Sequence, residues 1–140
     1  LTCTLYLDES GNLADNLPCT LVATFNSDKR TSKKLSRIPK RVRQRVMEDK
    51  LKNVPELKFY DSSDSIRERF LEYVAKYEPE AYALTLDKEG RRVDDTPYNY
   101  AIMVGKLLAS VVAEKEETNF DLHVDKKYTK PKAREEFNAT

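Results

Sequence analysis

Three aspartates stand at equivalent places in the chain. Each closes an apolar segment: LYLD at Asp8, LTLD at Asp87 and LHVD at Asp125. If these segments are parallel neighbouring strands about 4.8 Å apart, their carboxylates project from one end of a sheet towards a shared ligand. Carboxylates gathered in this way repel one another unless a cation or a proton intervenes. An oxygen-only donor set suits Mg²⁺ or Mn²⁺ and disfavours zinc. A pair of such ions about 4 Å apart can activate water and stabilise the leaving oxygen at a phosphodiester. A single aspartate at a strand end reads more simply as a turn cap. The repeated ending is what turn chemistry leaves unexplained.

Other residues extend this set. Glu9 follows Asp8 but points away from it if the strand continues. Glu56 precedes the short segment LKFY and is either a further ligand or a surface acid. His123 shares a strand face with Asp125, where an imidazole could shuttle protons, although a lone strand histidine is more often packed or hydrogen-bonded. Lys58 and Lys88 could neutralise phosphate charge or serve the surface equally well. The expected metal ligands are therefore Asp8, Glu9, Asp87 and Asp125, with Asp8, Glu56 and Asp125 in the reaction itself and Lys58, Lys88 and His123 auxiliary.

The elements that must position these groups follow from periodicity. Leu1, Cys3, Leu5 and Leu7 alternate with Thr2, Thr4, Tyr6 and Asp8, which predicts a strand, and Ser10-Gly11-Asn12 supplies a turn. A second strand over 19–27 makes an antiparallel hairpin with the first. A basic helix starts near Pro39, because proline is tolerated only in a first turn. Leu57 and Phe59 alternate with Lys58 and Tyr60, predicting a brief third strand. Ile66, Phe70, Val74 and Tyr77 form the stripe of a helix over 65–77, closed by Pro79. A strand follows over 80–87. Thr96-Pro97 opens a helix to about Lys115, whose broad apolar face requires a sheet beneath it. The last strand spans 119–125, and the basic tail from Lys126 ends in a short helix. The order predicts an α/β domain with a mixed five-stranded sheet, helices on both faces and strand order 3-2-1-4-5. In that order the strand ending at Asp87 lies beside the first, and the strand ending at Asp125 lies beyond it.

Bulk properties bound the function classes. The 140 residues suit one domain. An apolar share of 39% with a charged share of 35% suits a globular protein with a heavily solvated surface. No apolar run nears the roughly 20 residues that cross a bilayer, and no secretory leader is evident, so a cytoplasmic protein without membrane partners is expected. Cys3 and Cys19 fit neither a disulfide framework nor a zinc spacing and are expected to be reduced. The chain opens on Leu1, as a processed or trimmed chain would. Net charge is +1, yet residues 29–52 hold 11 of the 25 Lys and Arg against Glu48 and Asp49. Such a basic arm is either a solvated helix face or a grip on a polyanion. For nucleic acid, Lys33, Lys34, Arg37, Lys40, Arg41 and Arg45 would hold the phosphate backbone. Aromatic residues are sparse in that arm, which argues against base readout there. A protein partner and the oligomeric state are left open.

The segments YLDESGN, ELKF, TLDK and PYNYAIMVGKLL together resemble a widespread microbial family known as domain of unknown function 3800, which is grouped with ribonuclease H-like folds. The similarity runs over nearly the whole chain, and DESG after an apolar strand is its most specific part. The resemblance implies that Asp8 and Glu9 belong to the defining acidic motif, that Glu56 matches the acid of a Glu-apolar-Lys segment, and that Asp125 matches an acid after a late strand. It further implies a helix with a Gln-x-Ala-Asp-like motif completing the acidic set, which these 140 residues do not contain. The expectation is a ribonuclease H-like, Mg²⁺- or Mn²⁺-dependent nuclease or phosphodiesterase. The alternative is a non-catalytic module of that fold that binds nucleic acid or a protein.

Overall fold

The computed structural model describes residues 3–45, 56–115, 119–125 and 130–140. It divides into two compact units, one formed by Leu1–Asn26 with Glu80–Thr140 and the other by Ser27–Pro79.

The first unit is a four-stranded sheet, β1 (Cys3–Ser10), β2 (Cys19–Ser27), β3 (Glu80–Asp87) and β4 (Phe120–Val124), in the order β3-β2-β1-β4. The alternation read in β1 is real: Leu5 and Leu7 are 1% and 3% exposed, whereas Tyr6 between them is 40% exposed. β1 and β4 pair in parallel from Cys3↔Phe120 to Leu7↔Val124, and β2 and β3 pair antiparallel from Cys19↔Asp87 to Asn26↔Glu80. The short connection over residues 11–18 can only reverse the chain between β1 and β2. β1, β3 and β4 thus run the same way, and their C-terminal ends share one edge of the sheet. Cys3 and Cys19 consequently fall at opposite ends of the first hairpin.

One face of this sheet is closed by α4 (Pro97–Lys115). Its start is set as the sequence predicts: the Thr96 hydroxyl accepts from the Asn99 amide at 3.1 Å, and Pro97 occupies the first turn. Tyr100, Met103, Val104 and Leu107 pack with Leu7, Leu13 and Val22, and Tyr82, Leu84 and Leu86 border them. Burying each large apolar side chain contributes about 2 kcal/mol. The α5 helix (Pro131–Ala139) joins through Phe137, whose ring stacks on Tyr100 with centroids 5.6 Å apart. On the opposite face Tyr6, Asp8, Thr85, Asp87 and His123 are exposed. The second helical layer expected there is not formed by the helices of this unit.

The second unit contains α1 (Lys29–Leu35), α2 (Ile38–Arg45) and α3 (Asp64–Ala75). Asp28 caps α1, its carboxylate accepting from the Thr31 amide at 2.7 Å. Pro39 lies in the first turn of α2, as expected. Ile38, Val42 and Ile66 form a small core, ringed by Leu35, Leu57, Phe70, Tyr73, Val74 and Tyr77. The expected basic helix continued to residue 52, but the part beyond Arg45 lies outside the described residues, as does the tail over 126–129.

Two expectations are corrected. The sheet has four strands, because residues 57–60 form no strand: Leu57 enters the helical core and Phe59 lies beneath the Arg67 guanidinium at 5.3 Å. Alternation over four residues is too short to distinguish a strand from a loop that drops one side chain inward. The strand order also differs. The strand over 80–87 pairs with β2, and the strand over 120–124 pairs with β1. Ser27–Pro79 is thus an insertion in a hairpin, leaving at Asn26 and returning at its register partner Glu80.

Candidate functional site

Strand register decides which carboxylates meet. Leu7 pairs with Val124, the last register pair of β1 and β4; Asp8 follows Leu7 within β1, and Asp125 is the first residue beyond β4. Within β1, Asp8 shares the open face with Tyr6 two residues before it; Asp125 follows His123 by two residues, just past the end of β4. Both are exposed. One Asp8 oxygen accepts from the Glu9 amide at 2.9 Å, which leaves its other oxygen available for a further partner.

Glu9 and Asp87 do not join them. β1 continues through Ser10, so Glu9 faces α4, where its carboxylate accepts from the Tyr100 hydroxyl at 2.8 Å. Asp87 ends β3, two strand spacings or about 10 Å from the Asp8 position. Its carboxylate caps a turn, accepting from the Glu89 amide at 2.9 Å, before Glu89 and Gly90 take positive φ of 49° and 73°. Glu56 and Lys58 belong to the helical unit, where they pair with each other at 3.7 Å.

Lys88, expected beside a phosphate, is committed to the protein. It is 4% exposed, and its ammonium donates to the Asn12 carbonyl at 2.9 Å, the Asp15 carbonyl at 3.0 Å and the Asp15 carboxylate at 2.6 Å. A lysine has three N–H donors, and these acceptors match them. The result is a pinned loop. Asp15 also accepts from the amides of Asn12 at 2.6 Å and Leu17 at 3.0 Å, and the Lys88 amide donates to the Pro18 carbonyl at 2.9 Å. The Lys88 ammonium and then the Asn12 amide hold the Asp15 carboxyl below the usual carboxylate range. Gly11 makes the turn possible with φ of 82°, and a β-carbon there would meet an Asp15 carboxylate oxygen at 3.4 Å. Beside this loop lies an open cleft of about 460 Å³, lined by Asp15, Leu17, Lys88, Arg91 and Arg92 among others. Arg91 and Arg92 are exposed there. Sequence reasoning missed both, although an Arg-Arg pair behind a strand-ending LDKEG turn was available as a sign.

In the helical unit the predicted basic residues split into two groups. Lys34 lies over Tyr77 at 5.5 Å and Arg41 over Tyr73 at 5.6 Å, so both help to close the small core. Lys33, Arg37, Lys40 and Arg45 are exposed.

The fit to a divalent cation can be judged from this geometry. Mg²⁺ is usually held by one or two carboxylates, with water and substrate phosphate completing an octahedron. Asp8 and Asp125 suit one such ion. Among the described residues no group of three or more His, Cys, Asp or Glu is arranged to hold an ion.

No family model and no curated protein matches this chain. Among the described residues no helix is long and apolar enough to cross a membrane. Among solved structures the chain is similar to a mutant protein of Bst-RNase HIII, with a TM-score of 0.59 and 12% identity over 98% of this chain. It spans 41% of that protein's length. At that identity the likeness speaks for the fold: an α/β, ribonuclease H-like architecture with a mixed four-stranded sheet.

Proposed function

We propose that this chain is a ribonuclease H-like module acting on nucleic acid as a divalent-metal-dependent nuclease or phosphodiesterase in the cytoplasm, related to the domain of unknown function 3800 family. The observation that carries the proposal is the parallel register of β1 and β4, which ends at Leu7↔Val124 with Asp8 and Asp125 as the next residue on each side. In this reading both carboxylates ligate one Mg²⁺ or Mn²⁺ ion, which when bound supplies an activated water and charge stabilisation at the phosphodiester. Asp8 stays oriented through the Glu9 amide. Lys33, Arg37, Lys40 and Arg45 provide sequence-independent phosphate contacts, and Arg91 and Arg92 line a second route for the backbone.

The test is Mg²⁺- or Mn²⁺-dependent cleavage of end-labelled RNA, DNA and hybrid duplexes by the wild type, Asp8→Asn and Asp125→Asn. Loss of a group that merely orients a ligand costs 10- to 100-fold, so each ligand variant should lose about 100-fold or more. A non-catalytic nucleic-acid-binding module is the second reading, favoured by the placement of Glu9 and Asp87 away from the pair. Metal-independent binding without cleavage in any of these proteins would establish it.

A further inference from the structure

We propose that Tyr6 and His123 form a platform on which one unpaired nucleobase stacks, next to the Asp8–Asp125 pair; the inference rests on the nucleic-acid reading above and names the part of the nucleotide bound there. Tyr6 and His123 are register partners on β1 and β4, and their rings stack with centroids 5.1 Å apart at an interplanar angle of 22°. Neither is buried: Tyr6 is 40% exposed and His123 is exposed as well. β4 is the last strand of the sheet. Among the described residues the imidazole face turned away from Tyr6 therefore has no neighbouring strand to cover it, and a third flat ring can continue the stack at the sheet edge.

The chemistry of the face selects a nucleobase. Thr4 and its register partner Asp121 lie two residues before the ring pair, and Asp8 and Asp125 follow it two residues later in the sequence. With carboxylates on both sides, a bare phosphate is repelled, whereas a neutral aromatic ring gains stacking without charge conflict. Two residues along a strand is about 7 Å. That distance suits a nucleotide whose base covers His123 and whose phosphate reaches a cation between Asp8 and Asp125. The ring pair thus orients the nucleotide along β4. It acts on single-stranded or splayed nucleic acid, because a base in a duplex has no free face to offer.

His123 is the single histidine of the chain, so its imidazole protons are unambiguous reporters in the NMR spectrum of untagged protein. Adenosine 5′-monophosphate is titrated with Mg²⁺ near pH 8 at fixed buffer composition, and ribose 5-phosphate serves as the probe without a base. The expected result is an upfield, saturable shift of the His123 ring protons with the nucleotide alone. Tyr6→Leu should weaken that binding about fivefold or more, and Tyr6→Phe, which keeps the ring, should restore it. The platform is overturned if the nucleotide leaves the imidazole signals unmoved, if ribose 5-phosphate moves them equally, or if Tyr6→Phe behaves as Tyr6→Leu. Cleavage is read separately: Asp8-dependent cleavage without the shift removes the platform alone, and a shift without cleavage in any protein removes the nuclease and leaves a nucleotide-binding face.

Discussion

The two units of this chain divide the work of charge. Residues 27–79 hold 15 Lys and Arg against nine Asp and Glu, whereas the sheet unit holds ten against 15. They also differ in what positions their charged groups. In the sheet unit, the β1–β4 register brings the chain to Asp8 and Asp125 just past the paired Leu7 and Val124, over a core that includes Leu7, Val22, Tyr100 and Leu107. In the helical unit, the apolar core of Ile38, Val42 and Ile66 is bordered by Tyr73 and Tyr77, over whose rings Arg41 and Lys34 lie. Backbone pairing fixes a site to within a fraction of a strand spacing, whereas a helix surface offers a patch. The first suits chemistry at a point and the second suits holding a polymer.

The largest expected effect breaks the comparison within the sheet. Asp8→Asn should abolish metal-dependent cleavage by about 100-fold or more, while Asp87→Asn, at a turn on the far edge strand, should stay within about twofold. Equal losses would mean that the two carboxylates share a site. Next in size is packing. Leu107→Ala and Ile38→Ala, each in a different core, should each cost about 2–5 kcal/mol by chemical denaturation. The first should disrupt the sheet unit's near-ultraviolet circular dichroism, and the second should leave the His123 ring signals in place. On the polymer side, neutralising Lys33, Arg37 and Lys40 together should lower the slope of log affinity against log salt by about 2.7 on duplex DNA, at about 0.9 per phosphate contact. The same change should leave adenosine 5′-monophosphate binding unaltered.

The smallest expected effect concerns the pinned loop. Asp15 has its carboxyl pKa lowered in the fold by Lys88 and by backbone amides. Its stabilisation is therefore complete above the unfolded value near about 3.9 and is lost as pH falls through the lower folded value. Asp15→Asn should melt earlier than the wild type at about pH 6, and the two curves should converge towards about pH 2. A gap that persists in acid would show that the loop relies on shape and not on the Lys88 contact.

Much of this arrangement was legible from sequence, for reasons that vary by element. The first strand, the Thr96-Pro97 helix start and the α3 stripe are local patterns that were read correctly, whereas the four-residue alternation over 57–60 was too short to be. The α/β class with a mixed sheet followed from their order, and the ribonuclease H-like expectation came from the family resemblance. Strand neighbours were not legible, because adjacent elements usually pair and here β2 finds its partner only after the whole helical unit has intervened. That one misplacement moved Asp87 into the expected site and Asp125 to its margin. Lys88 was misjudged for a related reason: its partners Asn12 and Asp15 lie more than 70 residues earlier. Tyr6 was visible as an exposed strand position, but its meaning depends on His123 being its register partner.

The hairpin insertion also has a kinetic consequence. As an open coil, residues 27–79 would make closure of the β2–β3 pair cost roughly 2 kcal/mol more than a four-residue turn, by the logarithmic growth of loop entropy. Helices form within about a microsecond, faster than sheets with distant partners. Once the helical unit has formed, its two ends arrive together at Asn26 and Glu80, and the longest-range antiparallel pairing of the sheet becomes a local event. The unit that carries the basic surface is then also the clamp that sets the order in which the sheet assembles.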